Sequence, residues 1–204
     1  MIPLISFVTT FSFVIAISAV QLSAAAAKVG SPAPYFTLTD IEGKTHHLGE
    51  YEGKTVVLEW VNPECPFVVK HYRSGNMQGL QHAAKKDGTV WLTINSGRTG
   101  AQGDFDPEKA QNWAERVNAG FTSYLRDSSG KVGRAYGAKT TPHMFVINPE
   151  GILIYDGAID SIASTQDRDI QRAENYVEKA LAAVKSGTMP EKSTSRPYGC
   201  SVKY

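Results

Sequence analysis

Residues 55–61 (TVVLEWV) constrain the fold of this chain more than any other stretch of its sequence. The run is β-branched and apolar without alternation, which is typical of a strand buried on both faces of a sheet. A helix-forming segment follows over residues 66–85, although Gly75 and Gly79 weaken its middle. Because strand and helix patterns then alternate along the chain, the sequence predicts an α/β domain.

The remaining segments extend this alternation. Residues 36–48 are typical of a β-hairpin with a Gly-containing turn. Asp106-Pro107-Glu108 combines an N-cap residue, a first-turn proline and an early acid, so it predicts a helix start. Further predicted elements are strands at 89–94 and 121–125, a short helix at 131–136, a hairpin at 143–155 and a helix at 167–185. Together they predict a mixed central sheet with helices on both faces and an N-terminal β-hairpin.

The first 27 residues contain no charged side chain. An apolar run at 7–22 and alanines at 24–27 predict a signal peptide over residues 1–27, with an uncleaved membrane anchor as the alternative. We therefore expect an exported protein, periplasmic or secreted, with no membrane span after processing and with disulfides permitted. Residues 28–186 would form the domain and residues 187–204 a polar C-terminal tail.

The composition excludes several classes of function. With 21 Lys+Arg against 20 Asp+Glu, the net charge of +1 does not indicate nucleic-acid binding. Two cysteines exclude a disulfide-rich scaffold and the four-cysteine zinc modules. His46 and His47 are adjacent in a predicted strand and would point to opposite faces, so they do not readily share a metal ion. We predict no metal site and no cofactor.

Cys65 lies where local structure makes a thiol reactive. It ends a short loop after the buried strand and directly precedes Pro66, a favourable first helical residue. A thiolate at this position would face the positive end of the helix, which lowers its pKa. The alternative is a buried, inert cysteine.

Cys200 lies 135 residues later in the chain (200 minus 65), within the polar tail. Gly199 would allow the close backbone approach that a disulfide or a docked loop needs. Three roles stay open: a resolving cysteine that attacks oxidised Cys65, a static disulfide with Cys65, and a free or intermolecular thiol.

Several motifs together resemble a known group of proteins. WVNPECPFV around Cys65, Thr141-Pro142 and the hairpin MFVINPEGILIYDG resemble the thioredoxin superfamily, and within it the redoxin branch of alkyl hydroperoxide reductase and thiol-specific antioxidant. The segments ECPFVVKHY, RDSSGKVGRAYGAKTTPHMFVINPEG and GCSVKY are similar to a peroxiredoxin-like subfamily. The similarity extends over residues 30–204 and implies a thioredoxin-like fold.

The resemblance also implies roles for individual residues. Cys65 takes the attacking-cysteine position, while Val68 stands where thioredoxin has its second cysteine. Asn62 replaces the peroxiredoxin threonine, and Thr141-Pro142 replaces the peroxiredoxin arginine at a bond expected to be cis. The resemblance assigns substrate binding to four residues around the thiol, namely Asn62, Thr141, Pro142 and His143. His143 would either face Cys65 as a proton partner or point elsewhere.

These features support a thiol-dependent oxidoreductase with Cys65 as nucleophile and Cys200 as candidate resolving cysteine. Its substrate would be a disulfide or a hydroperoxide, and an external dithiol or redox partner protein would restore the reduced form. Because Val68 is not a cysteine, a cycle within one chain would require movement of the tail. The alternatives are a non-catalytic binding module with a structural Cys65–Cys200 disulfide, and a metal-binding accessory protein.

Overall fold

The computed structural model describes residues 26–204, so nearly all of the predicted signal peptide lies outside the described residues. The strands are β1 (Thr37–Asp40), β2 (Thr45–His47), β3 (Val56–Trp60), β4 (Val90–Asn95), β5 (Ser123–Arg126), β6 (Thr140–Thr141), β7 (His143–Ile147), β8 (Leu153–Gly157) and β9 (Cys200–Ser201). The α-helices are α1 (Pro66–Arg73), α2 (Asn76–Lys86), α3 (Pro107–Arg116), α4 (Lys131–Tyr136) and α5 (Tyr176–Lys185). Within the described residues, no helix has the length and apolar character needed to cross a bilayer.

Seven strands form the central sheet, in the order β2-β1-β5-β4-β3-β7-β8. The pairs β5–β4 and β4–β3 are parallel, whereas the strands toward both edges pair antiparallel. All five residues of β3 are buried, Glu59 included, as expected for a strand that is covered on both faces of the sheet. The predicted mixed sheet with an N-terminal hairpin is confirmed.

Alternation along β3 divides the core into two halves. Val57 packs in a cluster with residues of α1, α2, α3 and α5, while Leu58 and Trp60 pack in a second cluster with residues of α4 and the N-terminal segment. Since neighbouring strand residues point to opposite faces, the two clusters lie on opposite sides of the sheet. This arrangement confirms the prediction of helices on both faces.

Two predicted helices are shorter than expected. The segment 66–85 is divided into α1 and α2 at Gly75, whose φ of 79° lies in the left-handed region that glycine adopts without strain. The segment 167–185 begins as a 3₁₀ helix, Asp167–Arg172, and α5 starts only at Tyr176. There the Asn175 side chain accepts a hydrogen bond from the Glu178 amide at 3.0 Å, which sets the true helix start.

The polar tail docks along the domain. Its backbone pairs with Asp156 through the amide and carbonyl groups of residues 193–195, and Val202 donates to the Lys139 carbonyl at 3.1 Å. At the C-terminus, the Tyr204 hydroxyl donates to the Ala138 carbonyl at 2.7 Å. Because these bonds are mostly to backbone, the tail needs no apolar run of its own to find its position.

Candidate active site around Cys65 and Cys200

Cys65 is held at the junction between β3 and α1. Its amide donates to the Asn62 carbonyl at 3.0 Å, which closes a tight turn, and Pro66 starts the helix. The side chain is fully buried, and Sγ donates to the Thr141 carbonyl at 2.9 Å. The predicted strand–cysteine–proline–helix arrangement is therefore the observed one.

The Cys65 sulfur faces the β6 edge and the tail. The Thr141–Pro142 peptide bond is cis, as the resemblance implied. Strands β6 and β9 pair antiparallel with Thr141 opposite Cys200, and the Cys200 amide lies 3.4 Å from Cys65 Sγ. Both cysteines are free thiols. The sequence left the relation between Cys65 and Cys200 open, and the structure has the two residues side by side.

Gly199 is what allows this approach. Its φ is 135°, and a Cβ at this position would lie 2.0 Å from the Thr141 carbonyl oxygen. Any other residue would push the tail strand away from β6. The glycine before Cys200 thus has a steric reason, in agreement with the close approach expected from sequence.

The two thiols differ in their tendency to ionise. Burial by itself raises the pKa of Cys65, but interactions with the Cys200 thiol, the Val68 amide and the Cys200 amide outweigh it and bring the pKa below its usual value. Burial and the neighbouring Cys65 sulfur raise the pKa of Cys200 to about 11. Cys65 therefore ionises first while Cys200 keeps its proton, which suits Cys65 for attack.

The Asn62 side chain organises the loop instead of pointing at the sulfur. Its Oδ1 accepts from the Glu64 amide at 2.9 Å and its Nδ2 donates to the Gln102 carbonyl at 3.2 Å. These bonds join the turn before Cys65 to the loop after β4. The expected contact between Asn62 and a substrate stays a prediction.

His143 takes the second of its two expected positions. Its Nε2 lies 2.7 Å from Asp156 Oδ1, and its Nδ1 accepts from the Lys139 amide at 3.2 Å. The two ring nitrogens thus contact β8 and the segment before β6. Within the described structure, His143 is not positioned as a proton partner of Cys65.

Sequence analysis missed a buried polar cluster beside the two cysteines. The Tyr198 hydroxyl donates to Asp160 and lies 3.2 Å from His71 Nε2. Lys70 Nζ lies 3.8 Å from Asp160 Oδ2 and has no hydrogen-bond partner among the described residues. Burial, together with the charge of Lys70, lowers the pKa of His71 to about 3, so this histidine is neutral. The sequence feature that could have indicated this cluster is Tyr198, an aromatic residue two positions before Cys200 in a mostly polar tail.

No group of three or more His, Cys, Asp or Glu side chains within residues 26–204 is arranged to hold a metal ion. The Cys65 sulfur instead contacts two backbone groups, the Thr141 carbonyl, which accepts from Sγ, and the Cys200 amide, which donates to it.

The sheet order and the position of the Cys65 thiol at the start of α1 define the class of protein, a thiol oxidoreductase with a thioredoxin-like fold. Within that class, the chain belongs to the AhpC/TSA family, whose model matches residues 29–156. The match ends before the tail, so Cys200 lies outside the part that defines the family. The expected redoxin family, fold and enzyme class are confirmed.

Individual relatives agree with this assignment. The chain is 31% identical to the thiol-disulfide oxidoreductase ResA of Geobacillus thermodenitrificans over 133 residues, which are 62% of this chain and 67% of the relative. A hypothetical protein of Sinorhizobium meliloti superposes with a TM-score of 0.72 at 25% identity, covering 88% of this chain and 96% of that structure. A third similar structure is the thioredoxin domain of a thiol-disulfide oxidoreductase of Bacteroides vulgatus, which superposes with a TM-score of 0.52 at 17% identity. The superposition covers 72% of this chain and 98% of that domain, and it shows the shared fold.

Proposed function

We propose that the chain catalyses thiol–disulfide exchange with Cys65 as nucleophile and Cys200 as resolving cysteine. The observation that carries the proposal is the pairing of Thr141 with Cys200, which holds the Cys200 amide 3.4 Å from Cys65 Sγ while both cysteines are reduced. The asymmetric ionisation of the two thiols supports the same division of roles.

The cycle has three balanced steps. The Cys65 thiolate attacks one sulfur of a substrate disulfide, the substrate S–S bond breaks, and one substrate thiol leaves with a proton. The Cys200 thiol then attacks Cys65 Sγ and gives its proton to the leaving group. The bond between Cys65 and the substrate breaks, the second substrate thiol leaves, and a Cys65–Cys200 disulfide remains. An external dithiol or redox partner protein reduces this disulfide to two thiols and is itself oxidised.

A hydroperoxide is the second candidate substrate, in keeping with a peroxiredoxin-like subfamily. It is favoured by the complete burial of Cys65 beneath the tail, since a small oxidant enters such a site more easily than a protein. Two residues, Arg98 and Arg126, are candidate replacements for the peroxiredoxin arginine. Arg126 pairs with Asp104 at 3.1 Å and Arg98 is exposed, which counts against a hydroperoxide substrate. Disulfide exchange is therefore the leading proposal.

We also propose that the protein acts outside the cytoplasm. Residues 1–27 would be a signal peptide or an anchor, residues 28–186 the redox domain, and residues 187–204 the tail that carries Cys200. The apolar, uncharged character of residues 1–27 supports export. Mass spectrometry of the protein recovered from its native compartment tests cleavage after Ala26 or Ala27.

A single-turnover experiment tests the chemistry. Reduced protein receives one equivalent of 2,2′-dithiodipyridine or of hydrogen peroxide, and the products are mapped by mass spectrometry. We expect the parent chain to form the Cys65–Cys200 disulfide, and Cys200→Ser to stop at a mixed disulfide or a sulfenic acid on Cys65. An unmodified Cys65 in both chains would contradict the proposal and favour the binding module.

A further inference from the structure

The tail occupies the site as an extended peptide, and one of its side chains fills a distinct pocket. Cys200 lies opposite Thr141 in the β6–β9 pair, while Tyr198, two residues earlier, reaches the polar cluster beside α1. There the Tyr198 hydroxyl donates to Asp160, and the neutral His71 ring faces it at 3.2 Å. We call the residues around this ring, Phe67, Lys70, His71 and Asp160, the tyrosine pocket.

Hydrogen bonding around His71 suits a phenol oxygen. The His71 Nδ1 accepts from the Asn76 side-chain amide at 2.9 Å, so the proton of the neutral ring lies on Nε2. Nε2 then donates to the Tyr198 oxygen while the Tyr198 proton is donated to Asp160. The pocket thus supplies one donor and one acceptor to a single hydroxyl group.

The remaining walls suit an aromatic ring. The Phe67 and Tyr198 ring centroids are 5.7 Å apart, and Lys70 Nζ lies 5.6 Å from the Tyr198 ring centroid. Lys70, His71 and Asp160 are all at most 3% exposed. An occupant without the phenol would take a hydrogen-bond partner away from buried His71 and Asp160, which is costly.

The position between the pocket and the sulfur accepts only glycine. A Cβ on Gly199 would lie 2.0 Å from the Thr141 carbonyl oxygen. The site therefore selects three consecutive residues: a tyrosine for the pocket, a glycine against Thr141, and a cysteine beside Cys65.

We propose that the tyrosine pocket is a specificity site that selects disulfide substrates carrying an extended Tyr-Gly-Cys segment from a partner protein. The tail is its resident occupant. Because Cys65 is fully buried under that tail, a protein substrate reaches the sulfur only by displacing it and taking over its contacts. This inference rests on the proposed function, since it needs Cys65 to exchange with a substrate disulfide.

The test uses the full chain with Cys200→Ser and Tyr198→Ala, which removes the resolving thiol and empties the pocket. The probe is a peptide of residues 196–204 whose cysteine is activated as a 2-thiopyridyl disulfide. Cys65 attacks the peptide sulfur, the bond to the thiopyridyl group breaks, and the released pyridine-2-thione is followed by absorbance. We expect this peptide to react about tenfold or more faster than the same peptide with phenylalanine for tyrosine, or with alanine for glycine.

A third substitution tests the pocket itself. Adding Asp160→Asn should remove the preference for tyrosine over phenylalanine. Adding Asp167→Asn, at an exposed carboxylate paired with Arg73, should preserve it. The chain with Cys200→Ser alone keeps the intact tail, and should show the same preference at a lower rate.

The outcomes distinguish failure of the tyrosine pocket from failure of the exchange reaction on which it rests. Equal rates for the tyrosine and phenylalanine peptides, with Cys65 labelled by both, would overturn the pocket and leave the exchange reaction standing. Failure of Cys65 to react with either peptide and with 2,2′-dithiodipyridine would overturn both proposals.

Discussion

At the scale of single residues, the Cys200 thiol and amide help to lower the pKa of Cys65. The Cys200 thiol and amide lie against the Cys65 sulfur and favour its thiolate over its thiol. The Cys200 amide is part of the backbone and is retained when the side chain is replaced, whereas the thiol proton is lost. The contribution of the Cys200 side chain to the pKa of Cys65 can therefore be measured separately from that of the amide.

We expect Cys200→Ala to raise the pKa of Cys65, because the side-chain donor is lost. Cys200→Ser is the matched control, since its hydroxyl still donates and should keep the pKa closer to that of the parent. The pH dependence of the rate of Cys65 alkylation measures both pKa values. Identical profiles for the two variants would show that the Cys200 side chain does not stabilise the thiolate.

Glu59 is a second residue with a displaced pKa. It is buried in β3 and accepts hydrogen bonds from four side chains, those of Trp91, Tyr72, Thr93 and Gln81. Burial nevertheless dominates these bonds and raises the pKa of Glu59 above its usual 4.5.

A carboxyl whose pKa is higher in the folded state stabilises the fold below its unfolded pKa. That stability is lost as the pH rises from about 4.5 through the folded-state pKa. We therefore expect the free energy of unfolding to fall over this range in the parent chain, relative to Glu59→Gln. Urea denaturation at a series of pH values measures it, and parallel profiles for the two chains would contradict the raised pKa.

At this scale the sequence predicted the residues whose role is local. Cys65 was placed by a strand, a turn and Pro66, all within a few positions of it. His143 was not assigned, because its two partners, Lys139 and Asp156, depend on the conformation of the chain between them. Tyr198 was missed, since its partners lie in α1 and in the segment after β8.

At the scale of elements, the short strand β9 lies against the buried Cys65 sulfur. It has two residues and depends on the close approach of Gly199 to β6. A tail strand of this size is held by few bonds, so weakening it should expose the sulfur without unfolding the domain.

We expect Gly199→Ala to raise the alkylation rate of Cys65 on the order of tenfold, the population change that about 1.4 kcal/mol of weakened docking produces. The measurement uses a Cys200→Ser background, so that only Cys65 reports. Gly187→Ala is the control, because Gly187 also has a positive φ but a Cβ added there would meet no atom of the described residues within 4 Å. Equal rates in the two variants would mean that β9 does not cover the sulfur.

The elements themselves were predicted well where their end signals are local. Asp106 caps α3 through the Lys109 amide at 2.8 Å, as the Asp-Pro-Glu sequence indicates. The single helix predicted over 66–85 was wrong, because glycine weakens a helix by an amount that sequence alone cannot weigh against packing. Here the turn at Gly75 lets α1 and α2 pack separately on the sheet.

At the scale of the whole molecule, a Cys65–Cys200 disulfide would join positions 135 residues apart in the chain (200 minus 65). Because the tail is already docked beside Cys65, the bond would constrain the unfolded chain far more than the folded one. In the chain-entropy account, a loop of this length contributes about 5 kcal/mol, from which any strain of the bond in the folded state is subtracted.

We therefore expect the oxidised protein to have a free energy of unfolding about 3–5 kcal/mol higher than the reduced protein. Urea denaturation with and without a reductant measures the difference. Cys200→Ser should show no such difference. An equal midpoint for oxidised and reduced parent chains would exclude the intramolecular bond.

The position of the tail is the feature that sequence analysis predicted least. We expected the tail to move in order to bring Cys200 to Cys65, whereas the structure has the two side by side. The docking bonds are mostly to backbone groups of β6, β8 and the segment before β6, which carry no sequence signal. Movement of the tail is thus needed to admit a protein substrate, and resolution requires the tail to return to β6, where Cys200 lies beside Cys65.

An equilibrium redox titration tests the central claim most directly. The purified full chain is equilibrated with graded ratios of reduced to oxidised dithiothreitol, then acid-quenched and mapped by mass spectrometry. The account predicts a single two-electron transition between two free thiols and a Cys65–Cys200 disulfide within one chain, and its loss in Cys200→Ser. Two thiols that stay free across the whole range, or cysteines that pair only between chains, would contradict it.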